Sequence, residues 1–349
     1  MSARERVAAA LATVPRARLA TLPTPLEPGP DLPGGARLVV KRDDLSGLGL
    51  GGNKARKLEF LCGAALAAGA DTLVTVGAAQ SNHARMTAAA GAVLGLETHL
   101  VLGGAASEPP VGNQLLSRMF GAHAHHQQTD RWSELSAALD GLVEELRAAG
   151  RRPFAIPMGG STATGALGFL AAWVELVEQC EAAGLRPAAI VHASSTGGTH
   201  GGLLAGRATW AAAGEAAPDV IAVDVAKDSA DLAADAVRLA GDALRSVGLG
   251  DVSVDPALVE LDERWIGSDY AVPSDAGDRA AAWAARHGAW VLDRTYTAKA
   301  FAGLLGQAEE GRFARDSTVV FWHTGGFPAV FAPGGAALPD AIPHTKVIA

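Results

Sequence analysis

The stretch Lys41-Arg-Asp-Asp-Leu-Ser-Gly-Leu-Gly-Leu-Gly-Gly-Asn-Lys-Ala-Arg-Lys-Leu-Glu-Phe60 organises the chain. It leaves an apolar run at 38–40, passes through four glycines and reaches Asn53, a residue type favoured as a helix N-cap. With a helix beginning there, Lys54 lies in its first turn. The partial positive charge of a helix N-terminus disfavours a protonated amine, so we expect the pKa of Lys54 to be lowered. Schiff-base chemistry requires a lysine of this kind.

This stretch has three other interpretations. The spacing Gly47-x-Gly49-x-x-Gly52 matches a dinucleotide fingerprint, but the acidic residue expected further on is only Asp71, at the start of a strand. A phosphate loop is disfavoured because Asn53 precedes the lysine and Ala55 stands where Ser or Thr should follow. A solvated surface lysine is the ordinary alternative for Lys54, which therefore needs support from other motifs.

Length and composition limit the class of protein. A chain of 349 residues with 49% hydrophobic and 19% charged residues is expected to form two globular domains. The net charge of -8 argues against a nucleic-acid partner. Cys62 and Cys180 are the two cysteines, which is typical of a reducing compartment. We find no leader peptide and no apolar run long enough to cross a membrane, so we expect a cytoplasmic protein with no membrane partner.

Short apolar runs alternate with helical patterns along the chain. This alternation predicts βαβ units, and hence an α/β fold of two doubly wound domains with open, mostly parallel sheets. We place a large domain at 1–68 and 160–349 and a small inserted domain at 69–159. The predicted strands are 72–77, 99–102, 154–156, 189–193, 220–223, 290–292 and 318–322, and the predicted helices include 57–68, 131–149, 164–182, 232–247, 274–287 and 297–310.

Three polar loops follow predicted strands, where open α/β sheets bind their ligands. Ala79-Gln-Ser-Asn-His83 carries more polar side chains than helix capping needs. Ala193-Ser-Ser-Thr-Gly-Gly-Thr-His-Gly-Gly202 offers hydroxyls and backbone N–H groups for a phosphate monoester, although an ordinary glycine-rich turn is the alternative. Trp322-His-Thr-Gly-Gly326 supplies a hydroxyl and two glycines that would allow a flat ligand to approach closely.

The two tyrosines and a group of histidines are further candidates for chemistry. Tyr270 and Tyr296 both lie in polar, turn-like segments, so they are candidates for proton transfer or substrate orientation, or are structural hydrogen-bonding residues. His123-Ala-His-His126 has the density of a metal site, but no carboxylate or cysteine at suitable spacing completes a ligand set. We therefore predict a solvated loop there and no metal site. A Gly-x-Ser-x-Gly elbow is also absent.

A lysine on a turn, a phosphate cup without cations and two polar strand-end loops suggest pyridoxal 5′-phosphate (PLP) bound as a Schiff base. The motifs Lys41-Arg-Asp-Asp with Gly-Gly-Asn-Lys54, Gln80-Ser-Asn-His83 and His323-Thr-Gly-Gly326 also resemble the D-cysteine desulfhydrase / 1-aminocyclopropane-1-carboxylate (ACC) deaminase family. These are fold-type II PLP enzymes related to the tryptophan synthase β chain. The resemblance extends from about Pro23 to Phe331.

The resemblance implies a role for each matching residue. Lys54 would carry the cofactor and take the α-proton of the substrate. Asn82 would bond to the cofactor ring oxygen, and Ser81 would contact the substrate carboxylate. The remaining implied contacts are His83, Tyr270 and Tyr296 to substrate; Ser195, Thr196, Gly197, Gly198 and Thr199 to phosphate; and Thr297 and Thr324 to the cofactor ring.

Two positions favour the desulfhydrase branch. Deaminases resemble one another in having Glu and Leu where this chain has Thr297 and Thr324. A threonine facing the pyridine nitrogen would leave that nitrogen largely unprotonated, which suits α,β-elimination. Around the substrate, however, Asp293-Arg-Thr-Tyr296 and Gly267-Ser-Asp-Tyr270 depart from the family pattern, as does Ser195 in place of the usual first glycine of the cup.

We therefore expect a D-cysteine desulfhydrase-like lyase that converts D-cysteine to pyruvate, ammonia and sulfide, and that is a homodimer as the family implies. L-cysteate sulfo-lyase is the first alternative, because Arg294 would favour a sulfonate leaving group if it faced the substrate. The other possibility is that Arg294 points to solvent. ACC deaminase is the second. A nucleotide-dependent oxidoreductase and a catalytically silent sensor are alternatives from other classes.

Overall fold

The computed structural model describes residues 1–226 and 231–336. Its ten described strands are β1 Leu26–Asp31, β2 Arg37–Arg42, β3 Thr72–Ala78, β4 Glu97–Gly103, β5 His123–Gln127, β6 Pro153–Ile156, β7 Pro187–Ser194, β8 Asp219–Asp224, β9 Glu260–Asp262 and β10 Thr318–His323. Its ten described α-helices are α1 Ala3–Leu11, α2 Lys54–Ala67, α3 Asn82–Leu94, α4 Gly112–Met119, α5 Trp132–Ala148, α6 Ala163–Ala182, α7 Gly198–Ala212, α8 Leu232–Ser246, α9 Asp275–Gly288 and α10 Thr297–Glu309.

The strands form two sheets. The larger has the order β1-β2-β10-β7-β8-β9, and the smaller has the order β5-β4-β3-β6. Only the β1–β2 pair is antiparallel among the described pairs. The predicted α/β class with mostly parallel sheets is therefore confirmed. Parallel strands align their carboxyl ends, which places the loops after β3, β7 and β10 where ligands bind in such folds.

The predicted strand at 290–292 is wrong. This segment has no ladder, although Trp290 and Leu292 are buried while Val291 between them is exposed. The two buried side chains belong to the core under α9 and α10, where Trp290 meets Phe301 edge-on. The alternation of buried and exposed residues at 290–292 therefore comes from packing against this core and not from strand pairing.

The histidine-rich segment is also not the predicted solvated loop. It forms β5, an edge strand that pairs in parallel with β4, with His123 opposite His99. Histidine is not among the residue types enriched in strands, and pairing with β4 accounts for this conformation. β1 and β9 likewise lacked a recognisable sequence pattern.

Helix α2 is anchored by a buried cluster of charges. Arg56 donates to Asp43 Oδ1 and Oδ2 at 2.8 Å each and to Glu175 Oε1 at 2.8 Å. Lys41 contacts the same carboxylate of Glu175 and donates to Thr24 O at 2.8 Å. Burial alone would raise the pKa of Glu175, but Arg56 and Lys41 outweigh it and lower that pKa to about 2. Glu175 therefore stays ionised, and the cluster joins β2, α2 and α6.

No helix among residues 1–226 and 231–336 is long and apolar enough to cross a membrane.

Replacing Arg56 by Met is expected to destabilise the protein. It leaves the Asp43 carboxylate, which is 0% exposed, without its guanidinium partner. Breaking a buried pair from one side costs about 3–5 kcal/mol. The measurement is the free energy of unfolding in urea. As a control, Arg147→Met breaks the exposed Arg147–Glu144 pair and should change it by less than about 1 kcal/mol. Equal effects of the two substitutions would contradict a structural role for the cluster.

Candidate active site

One cavity brings together the ends of several elements. Much of its described lining comes from residues at or just after the carboxyl ends of β3, β7 and β10 and from the first turns of α2, α3 and α7. The lining includes Lys54, Ser81, Asn82, His83, Ser195, Thr196, Gly197, Gly198, Thr199, Tyr270, Tyr296 and Thr324. The structure thus collects residues from distant parts of the sequence, among them every predicted site residue except Thr297.

Lys54 is the first residue of α2, as predicted. Asn53 occupies the N-cap position but its side chain does not cap; it accepts from Lys54 Nζ at 3.0 Å and donates to Thr199 Oγ1 at 3.1 Å. The pKa of Lys54 is lowered to about 8, mainly by burial; the charge of Asp293 opposes this shift and that of Arg85 adds to it. Lys54 is therefore far closer to its neutral, nucleophilic form at physiological pH than an ordinary lysine.

Lys57 is a second lysine beside the phosphate cup that the sequence did not reveal. It lies one helical turn after Lys54 and is 1% exposed. Its Nζ donates to Gly159 O at 3.1 Å and to Ser161 Oγ at 3.3 Å, and neither acceptor carries a charge. Burial, with the charge of Lys54, holds the pKa of Lys57 well below its usual value. A bound anion would favour the charged ammonium form of Lys57.

The cup itself is formed where β7 leads into α7. Gly197 adopts a left-handed conformation with φ of 74°, and the first N–H groups of α7 lack partners within the helix. A Cβ on Gly198 would lie 2.6 Å from Ser161 Oγ and 2.7 Å from Lys57 Nζ, so only glycine leaves this cradle open. The buried hydroxyl of Ser194 also lines the cavity and has no hydrogen-bond partner in the described chain. These residues fit a phosphorylated cofactor.

Ser81 and Asn82 lie at the N-terminus of α3. Ser81 caps this helix by accepting from Ala84 N at 3.1 Å. Asn82 Oδ1 accepts from Asn113 Nδ2 at 2.9 Å, which leaves the Asn82 amide nitrogen to donate into the cavity. Asn113 is therefore a positioning residue, and no sequence pattern singles it out.

His83 lines the cavity but is turned toward the protein on one side. Its Nε2 bonds to Thr75 Oγ1 at 2.9 Å, and its Nδ1 has no partner in the described residues. Burial and the charges of Lys54 and Lys57 hold the pKa of His83 well below its usual value. It is therefore a neutral imidazole in the wall of the cavity.

The two tyrosines meet as predicted for a shared site. Their hydroxyl groups form a direct hydrogen bond, and burial raises the pKa of both Tyr270 and Tyr296. Both phenols therefore stay protonated at physiological pH and can donate a proton. Trp132, the first residue of α5, packs edge-on against Tyr270 with ring centroids 5.7 Å apart and completes this wall. From the sequence we predicted only a helix over 131–149 for this residue.

Thr297 is the predicted cofactor contact that the structure corrects. Its side chain is 0% exposed, donates to Asp293 Oδ1 at 2.8 Å and is absent from the described cavity lining. Asp293 in turn accepts from the backbone N–H of Thr295 at 3.0 Å and of Tyr296 at 2.9 Å. Thr297 and Asp293 thus fix the start of α10 and hold Tyr296 in place.

Thr324 and Gly325 line the cavity, and Gly325 and Gly326 allow neighbouring parts of the chain to pack closely against this loop. A Cβ on Gly325 would lie 2.7 Å from Gly52 Cα, and one on Gly326 would lie 2.4 Å from Asp293 Oδ1. Thr324 O accepts from Asn53 N at 2.9 Å. The loop after β10 therefore packs directly on the Gly-Gly-Asn turn.

Arg294 neither enters the cavity nor points to solvent. It donates to Asp278 Oδ1 at 2.8 Å and Oδ2 at 2.5 Å, and to Gly334 O at 2.9 Å. A guanidinium engaged with a carboxylate in this way is not available to a sulfonate.

Comparison with known proteins agrees with this geometry. Residues 17–325 match the family described as pyridoxal-phosphate dependent enzyme. The chain belongs to this family, and PLP is its cofactor. When bound, PLP supplies an electron sink for bonds broken at the α-carbon of an amino acid.

Individual relatives place the chain more narrowly. It is 39% identical over 336 residues to a D-cysteine desulfhydrase of Salmonella typhi, covering 92% of this chain and 97% of the relative. A solved ACC deaminase homologue superposes with a TM-score of 0.84 at 34% identity, covering 94% and 97% of the two chains. The predicted resemblance is confirmed. A solved T.th. threonine deaminase, at 20% identity and a TM-score of 0.64 over 92% and 97% of the chains, shares the fold.

Replacing Lys57 by Met is expected to weaken PLP binding by about 10- to 100-fold, because a charge-assisted hydrogen bond contributes about 1.5–3 kcal/mol. The measurement is the dissociation constant of PLP from the apoenzyme. Pyridoxal, which lacks the phosphate, is the control ligand and should bind both forms equally. Equal weakening of pyridoxal binding would show that Lys57 does not act through the phosphate.

The lowered pKa of Lys54 can be measured by chemical labelling. Only the neutral amine reacts with fluorodinitrobenzene, so labelling of Lys54 in the apoenzyme should rise with pH and be half-maximal near its pKa of about 8. An ordinary lysine is half-maximal at about pH 10.4. Mass spectrometry after short reaction times gives the rate at this residue.

Asp293→Asn provides the matched variant for that measurement. It removes the charge that raises the pKa of Lys54, so the midpoint should move to lower pH. An unshifted midpoint in this variant, or one near the ordinary lysine value in the natural chain, would contradict the assignment.

Proposed function

We propose that this protein is a carbon–sulfur lyase that catalyses α,β-elimination from D-cysteine, giving pyruvate, ammonia and sulfide. The observation that carries the proposal is the set of groups that line one cavity, which includes a lysine of lowered pKa and two neutral tyrosines. The D-cysteine desulfhydrase relative supports this choice of substrate.

The residues divide the work by their chemistry. The N-terminus of α3, with Ser81 and Asn82, offers hydrogen-bond donors for the substrate carboxylate. Lys54, when neutral, can accept the proton from the α-carbon. As the Cβ–S bond breaks, its electron pair leaves with sulfur, and the Tyr270–Tyr296 pair can donate a proton to it. Water then converts the aminoacrylate product to pyruvate and ammonia.

The cavity favours a thiol over a sulfonate as leaving group. Its cations among the described residues are Lys54 and Lys57, which we assign to chemistry and phosphate. Arg294 is paired with Asp278. A sulfonate would therefore be buried without a dedicated cation, which is costly.

Three further expectations stay proposals. The strands of the smaller sheet lie within 72–156, which supports a small domain at 69–159 and a large one at 1–68 and 160–349. Cys62 and Cys180 are buried free thiols, which supports a cytoplasmic location. A homodimer is proposed from the family resemblance alone.

The test is release of 2-oxo acid by purified holoenzyme from D-cysteine, β-chloro-D-alanine, L-cysteine, L-cysteate and ACC under identical conditions. D-cysteine and β-chloro-D-alanine should be turned over, and Lys54→Ala should abolish turnover. Arg294→Gln is the control and should leave the order of substrates unchanged. Preference for L-cysteate, lost in Arg294→Gln, would replace the proposal by a sulfo-lyase; preference for ACC would replace it by a deaminase.

A further inference from the structure

A second group of chemistry-bearing side chains lies outside the cavity, on the outer edge of the smaller sheet. Glu97 and His99 alternate on β4, and His123 and His125 alternate on β5, so all four belong to one face of the paired strands. His99 is stacked against both other imidazoles, with ring centroids 4.8 Å from His123 and 5.2 Å from His125. We call Glu97, His99, His123 and His125 the edge cluster.

The carboxylate that the sequence spacing seemed to lack comes from the neighbouring strand. Glu97 Oε1 lies 2.8 Å from His99 Nε2 and 3.7 Å from His123 Nε2. One ligand atom from each of these three residues falls within 4.8 Å of the others. Two imidazoles and a carboxylate are the ligand set of three-residue zinc sites.

The remaining contacts suit the orientation of a metal ligand. His99 Nδ1 lies 2.9 Å from His125 Nε2, so His125 can accept the Nδ1 proton and leave Nε2 of His99 free to coordinate. Arg151 contacts Glu97 through Oε2, which leaves Oε1 facing the two imidazoles. The side chain of His123 is 59% exposed, so it can rotate to bring its Nε2 to bonding distance and the ion can enter from solvent.

We propose that the edge cluster binds one divalent late transition-metal ion of the zinc class. Glu97, His99 and His123 supply the ligands, His125 orients His99, and water completes the coordination. Imidazole and carboxylate together select zinc and its neighbours over magnesium or calcium, which prefer oxygen ligands alone. The ion would join β5, an edge strand, to β4 through side chains as well as through the ladder. Binding at this edge does not depend on the reaction in the cavity.

The experiment is a titration of untagged holoenzyme with Zn²⁺, followed by calorimetry and by competition with a chromophoric chelator. The natural chain should bind one ion per chain. His123→Gln removes an exposed ligand and should weaken binding by at least about tenfold, a loss that even second-shell changes can produce.

His126→Gln is the matched control. His126 lies in the same short motif but is the next residue along β5, so it belongs to the other face, and its Nδ1 bonds to Gly104 O at 3.0 Å. The affinity of this variant for Zn²⁺ should equal that of the natural chain. Zn²⁺ should also raise the melting temperature of the natural chain and of His126→Gln, but not of His123→Gln. Absence of stoichiometric binding, or equal losses in both variants, would reduce the edge cluster to a surface ion-pair network.

Discussion

Arg56 is the residue through which the active-site helix is held to the rest of the protein. Its guanidinium lies between the carboxylates of Asp43 and Glu175 and above the ring of Trp322. Lys54, two positions before Arg56, and Lys57, one position after it, extend from the same helix toward the cavity. Helix α2 thus has one side fixed by ion pairs and another that presents amines, and helical periodicity separates the two. Close packing supports this arrangement, since a Cβ on Gly168 of α6 would lie 2.3 Å from Arg56 O.

The chain segments that form the cavity pack directly on one another. The loop after β10 lies on the Gly-Gly-Asn turn through Gly325 and Gly52, and Asp293 fixes the start of α10. Lys54 and the two tyrosines are therefore held by backbone contacts and buried hydrogen bonds. Such rigid support is what chemistry at a single carbon atom requires. Their ionisation states follow from the same burial, which favours the neutral amine and the neutral phenols.

Features that are local in sequence were predictable, and features that depend on pairing between distant segments were not. The helix start at Lys54, the loops after β3 and β7 and the α/β class all follow from periodicity and turn residues. Lys57 looked like any helical lysine, because only the fold brings Gly159 and Ser161 to it. Asn113 lies in α4, for which we made no prediction, and Trp132 lies in a segment for which we predicted only a helix. Thr297 was misassigned because its position in the chain matches a family position, whereas its hydroxyl is occupied by Asp293.

The overall charge of this protein is negative, but the groups around the phosphate cup, including Lys54 and Lys57, are of the opposite kind. The chain carries a net charge of -8, so an anion such as the phosphate of the cofactor meets a repulsive potential at long range. Within the cavity, the N-termini of α2, α3 and α7, together with Lys54 and Lys57 when they are protonated, contribute a positive potential. At physiological ionic strength, screening over about 8 Å removes most of the distant repulsion but little of the buried attraction. Salt therefore acts on the approach of an anionic group more than on its retention.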